Sequence, residues 1–146
     1  MGEAELARQQ AALVAALVAG GPPPPGIDGR HFAAAHAALR GKRAGEVART
    51  WPLLAAGLGA RWPGLFGDWA ARRPTNGSLR DGWDFARELA SEGRLPALGC
   101  AELDAREVAL RYDGKRAPRP RRVPTSRVRP GLFTVGNHRW IRQFGG

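Results

Sequence analysis

Three histidines, one cysteine and thirteen carboxylates could in principle take part in metal, nucleophilic or acid–base chemistry, and their spacing argues against each. His31 and His36 are five residues apart, which on a helix separates them by about 140°. They share no face, and no HExxH or HxH pattern accompanies them, so neither is expected to bind a metal. Cys100, the only cysteine, can form no intramolecular disulfide and no cysteine-based zinc site. It reads as a small helix residue. Asp81, Asp84 and Glu88 follow one helical face, and paired carboxylates can do acid–base work. Arg80 and Arg87 flank them, however, and Ser78 to Asp81 has the spacing of a capping box, so this face reads as solvated and charge-balanced. Glu102, Asp104 and Glu107 read the same way. Gly57-Leu58-Gly59 lacks the strand–turn–helix setting of a phosphate-cradling loop. No catalytic residue, metal or cofactor is expected, and the chain is read as not an enzyme.

Binding chemistry is concentrated elsewhere. Residues 1–114 carry 14 basic and 13 acidic side chains, whereas residues 115–146 carry 9 basic and none acidic. All but two of the bases are arginine, the exceptions being Lys42 and Lys115. Composition bias can favour arginine over lysine, but it does not remove acids after Asp113. Charge segregated in this way reads as an interaction arm. Arg116, Arg119, Arg121, Arg122, Arg127, Arg129, Arg139 and Arg142 could neutralise phosphates, with Phe133 and Trp140 able to stack on bases. The same arginines could instead grip an acidic protein or peptide, with a strand edge for β-augmentation. A solvated arm without a partner is the remaining reading.

The elements that would position these groups are mainly helical: a small bundle of about five short helices over residues 1–114, then the basic arm 115–146. Glu3 to Ala19 has apolar residues at helical spacing (Leu6, Leu13, Val14, Leu17 and Val18), with Glu3, Arg8 and Gln9 on the wet face. Gly20-Gly21 and the run Pro22–Pro25 end it as a stiff connector. Asp28 can cap a second helix through Phe32, Ala35 and Leu39, which Gly41 and Gly45 are expected to weaken or kink before Glu46. Pro52 opens a short helix ending near Gly57–Gly59. Trp62 to Arg73 forms the next amphipathic stretch, and Trp83, Phe85, Ala86 and Leu89 a further one that stops at Gly93. Pro96 begins a last helix running to Tyr112-Asp113-Gly114. In the arm, Pro118, Pro120, Pro124 and Pro130 exclude a persistent helix or central strand. Leu132 to Ile141, turning at Gly136-Asn137, predicts a β-hairpin over 132–141. Ala11–Ala19 is shorter than the ~20 apolar residues needed to span a bilayer. Glu3 and Glu5 outweigh Arg8, the wrong sign for a secretory signal, so a cytoplasmic protein with no membrane partner is expected.

Arg8-Gln9-Gln10, Leu39-Arg40, Lys42-Arg43 and Trp51-Pro52-Leu53-Leu54 are joined by Leu58-Gly59, Leu65-Phe66, Trp69-Ala70 and Pro74 with Ser78. Asp81-Gly82-Trp83-Asp84-Phe85-Ala86, Leu95-Pro96, Arg106-Glu107 and Tyr112-Asp113-Gly114 complete the set. In these pieces, over roughly residues 6–114, the chain resembles the small domain, named for DNA binding, at the N-terminus of HvfC-type proteins. It is more similar still to an actinobacterial C-terminal domain that accompanies, or is fused behind, multinuclear iron-containing enzymes that modify ribosomally made peptides. The family's Tyr-Arg-Asn-Asn element is represented by Arg40 alone. The resemblance implies a non-enzymatic accessory subunit that binds such an iron enzyme and helps recognise its precursor peptide, the iron ligands belonging to the enzyme. The alternative is a nucleic-acid-binding protein that uses the basic arm.

Overall fold

Helix α1 spans Glu3–Ala19, as the apolar spacing predicts. Glu3 and Glu5 lie in its first turn, where the helix dipole favours negative charge. It closes on Gly20, whose φ of 72° is left-handed. A side chain at Gly20 would also collide with the carbonyl of Ala71, so this position needs glycine twice over. α1 is the first of six α-helices in a computed structural model that describes residues 2–122. The chain is mainly helical, with one two-stranded antiparallel hairpin among the described residues. These residues fall into two compact units, 2–103 and 104–122. The sequence reading places its division after Gly114 instead, between a helical domain and a basic arm.

Asp28 caps α2 (Gly29–Thr50) as expected, its Oδ1 accepting the Arg30 N–H at 2.8 Å. The expected break near Gly45 is absent, and α2 is continuous. A helical glycine costs about 1 kcal/mol, but this stretch is held from outside. Ala44 and Val47 are buried, and the Trp62 indole donates to the Ala44 carbonyl at 3.2 Å. Pro52 opens α3 (Pro52–Leu58), a 3-10 turn follows at Gly59–Arg61, and α4 covers Trp62–Ala70. α4 stops three residues before the expected Arg73.

The predicted capping box at Ser78 does not form. Gly77 is the N-cap of α5 (Ser78–Ser91), with no side-chain cap. Asp81 is turned inward instead, at 2% exposure. The solvated-face reading of the carboxylates fails for Glu102 and Glu107 as well, since both are buried. Glu102 lies on α6 (Ala97–Ala109) and accepts the Leu54 N–H at 2.8 Å, so it supplies from a distant helix the N-terminal cap that α3 lacks locally.

The core of the helical unit is aromatic. Val47, Trp51, Leu54, Phe66, Trp83 and Ala86 have no exposed surface. Trp51 and Trp83 meet edge to face at 5.8 Å, and Phe85 stands edge-on to both Trp62 and Phe66. Gly82 lets the Trp51 ring lie against the α5 backbone, where a Cβ would overlap the indole.

α6 ends five residues before the expected Gly114. Leu110–Arg111 (β1) and Arg119–Pro120 (β2) pair antiparallel, with Leu110 opposite Pro120 and Arg111 opposite Arg119. The returning chain satisfies the end of α6: the Arg121 N–H donates to the Ala109 carbonyl at 3.0 Å. Its guanidinium Nε donates to the carbonyls of Glu107 and Leu110 at 2.8 and 3.2 Å. These bonds take carbonyls that a longer helix would have used. The hairpin predicted over 132–141 lies outside the described residues.

Two helical glycines should answer alanine substitution with opposite signs. Gly82→Ala forces the buried Trp51 ring to move and should cost about 3 kcal/mol. Gly41→Ala meets nothing within 4 Å in mid-α2 and should stabilise by about 0.5–1 kcal/mol. Urea unfolding followed by tryptophan fluorescence measures both.

Candidate functional site

Of the arginines singled out in the sequence, Arg116, Arg119, Arg121 and Arg122 lie in the described unit 104–122. Arg127, Arg129, Phe133, Arg139, Trp140 and Arg142 lie outside the described residues. Arg116, Arg119 and Arg122 are exposed, whereas Arg121 is half-buried and tied to the carbonyls at the end of α6. A cleft of about 210 Å³ is lined by Arg111, Asp113, Arg116, Ala117 and Arg119. Arg111 was not among the predicted residues. It falls before the charge boundary, and only its pairing opposite Arg119 brings it into this group.

The turn that builds the cleft is organised by Asp113. Its Oδ1 accepts the backbone N–H groups of Arg116 at 2.7 Å and Lys115 at 2.8 Å. Those two donors, Arg116 foremost, hold the carboxyl below its ordinary range.

The helical unit presents a second surface. None of the residues of α1 is buried, and Leu6, Val14 and Val18 are exposed at 47%, 58% and 44%. Amphipathic spacing predicted an apolar face turned into the protein. α1 does pack against α2, but much of its apolar face stays open to solvent. Leu17, Val18 and Leu39 line a groove of about 210 Å³ with His36, Arg40 and Lys42 around them.

A third constellation was invisible to sequence reasoning. Arg43 on α2 reaches Asp81 on α5, with Nε 2.9 Å from Oδ2. Asp81 also accepts the Thr75 hydroxyl at 2.7 Å and the Asn76 N–H at 2.9 Å. Arg43 Nη1 donates to the Arg73 carbonyl at 2.6 Å, and the guanidinium lies 5.9 Å from the ring centres of Phe66 and Trp69. Each polar atom of this node has structural work, so its chemistry is cohesion. A sequence separation of 38 between the partners leaves no periodic signal. Among the described residues no group of three or more side chains could hold a metal ion. Nor is any helix there long and apolar enough to cross a membrane.

Fold and surfaces together define a small helical domain followed by an arginine-bearing hairpin. Residues 7–91 match the SCO6045-like, C-terminal domain family, and the chain belongs to that family. The matched span runs from within α1 to the end of α5 and includes both members of the Arg43–Asp81 pair. The hairpin lies beyond it. No curated protein and no solved structure matches the chain.

Asp81→Ala leaves Arg43 in the interior without its carboxylate and should cost about 3–5 kcal/mol in urea unfolding. Replacing both partners by apolar residues, Arg43→Met with Asp81→Leu, should cost less than the two single changes added together. The Asp113 turn should depend on pH in one direction. A carboxyl held low contributes fully at and above its ordinary range and loses that contribution as the pH falls through the lowered value. The amide resonances of Lys115 and Arg116 should accordingly stay constant from neutral pH down to the usual carboxylate range and move only below it.

Proposed function

We propose that this chain is a non-enzymatic partner subunit that binds a multinuclear iron-dependent enzyme and helps recognise its ribosomally made precursor peptide. The observation that carries the reading is the segregation of charge: 9 bases and no acid after Gly114, following a nearly neutral helical part. Such a segment attracts and orients an anionic chain. The resemblance of the helical part to domains that accompany iron-containing peptide-modifying enzymes supplies the partner. The open apolar face of α1 suits docking on that enzyme, because exposed apolar patches rimmed by polar residues mark protein contacts.

The charge also favours a second reading, nucleic-acid binding by the basic arm. Co-purification of the full-length protein with a candidate iron-dependent peptide-modifying enzyme, sought among the products of neighbouring genes, separates the two. Stable co-elution, and peptide conversion that requires the chain, are the expected results. Val14→Glu, on the exposed face of α1, should weaken co-elution by about tenfold or more and leave thermal unfolding unchanged. Full-length protein that ignores the enzyme and the peptide, yet binds duplex DNA with a steep salt dependence, would overturn the proposal in favour of the second reading.

A further inference from the structure

The antiparallel register sets Arg111 directly opposite Arg119, both exposed, on one face of a two-stranded ladder. Like charges placed opposite each other in a sheet repel, which destabilises the pairing. Arg116, in the connection between the strands, lines the same cleft of about 210 Å³. Among the described residues no carboxylate forms an ion pair with any of the three. Asp113 is the only acid lining the cleft, and its Oδ1 is taken by two backbone N–H groups. Three arginines thus line one concavity in which Asp113 is the single acid.

We infer that the cleft formed by Arg111, Arg116 and Arg119 is a carboxylate-binding site that grips an acidic segment of a peptide. The planar fork of a guanidinium matches a carboxylate through two parallel hydrogen bonds. Two arginines opposite each other, with a third at the turn, suit neighbouring Asp or Glu side chains. Single strands are held by basic grooves interleaved with exposed aromatics, and the described cleft has none in its lining, Phe133 and Trp140 lying outside the described residues. The one aromatic residue described in this unit, Tyr112, is buried at 6% exposure and offers no stacking face beside the arginines. This inference rests on the reading of the chain as a peptide-handling partner, and it names the chemistry of the peptide at that site.

The test uses full-length protein and three fluorescein-labelled probes of equal length: a Glu/Asp-rich peptide, its Gln/Asn counterpart and a single-stranded DNA oligonucleotide. Fluorescence anisotropy should show the acidic peptide bound and its amide counterpart not bound. Arg111→Gln with Arg119→Gln should weaken acidic-peptide binding by about tenfold or more. Arg61→Gln with Arg72→Gln removes the same charge from exposed positions on the helical unit and should change it less than about twofold. Removing the opposed charges should leave the hairpin at least as stable, so the Lys115 and Arg116 amide resonances should persist in the double variant. Equal loss in both double variants would reduce the site to diffuse electrostatics and overturn the inference. Preference for the oligonucleotide, with loss of that binding on Arg111→Gln and Arg119→Gln, would overturn it in favour of nucleic acid. The iron enzyme is absent from this assay. Failure here with co-elution intact therefore removes the carboxylate site alone, while the converse removes the enzyme partnership alone.

Discussion

Burying Asp81 at 2% exposure is costly unless every lone pair it carries into the interior finds a donor, and the helical unit is arranged around meeting that demand. Arg43 comes from the middle of α2, and the Thr75 hydroxyl and Asn76 N–H come from the segment leading into α5. The same guanidinium turns to the Arg73 carbonyl just beyond α4, where a helix end leaves acceptors without partners. Three helices and the 71–77 connection thus share one ion pair. The aromatic core closes beside it: Arg43 lies over the Phe66 and Trp69 rings, and Gly82, the residue after Asp81, admits the Trp51 indole.

Polar clasps of this kind recur through the unit. Glu102 caps α3 from another helix, and Glu88 accepts both the Trp69 indole at 2.9 Å and the Arg73 guanidinium at 3.2 Å. Each joins elements that are remote in sequence. Asp81, Glu88 and Glu102 are thereby committed to cohesion. The bases of the helical part exceed its acids by only one, 14 against 13 over residues 1–114, so little net charge remains for a partner. Excess charge is left to the hairpin and the residues after it, where Asp113 organises the turn and, as a single acid, offsets only part of the charge of the arginines around it.

Much of the helical plan was legible in local signals. The bounds of α1, the Asp28 cap, the Pro52 start and the stop near Gly59 all follow from chemistry within a few residues. Where local rules failed, a distant group had intervened. Gly41 and Gly45 did not break α2 because the Trp62 indole and a buried face hold it. Ser78 and Asp81 did not form a capping box because Arg43 and Thr75 claim the carboxylate. α6 did not reach Gly114 because Arg121 returns to take its terminal carbonyls.

By itself the sequence determined the helical class, most helix starts and stops, and the concentration of positive charge after Gly114. All of these depend on residue type or on spacings of a few positions. Tertiary structure alone decided which carboxylates are buried, that α1 keeps apolar surface in solvent, and that Arg111 joins Arg116 and Arg119 around one cleft. Those outcomes depend on which side chains meet across tens of residues, and a hydrogen bond or strand register between distant positions leaves no periodic trace in the chain.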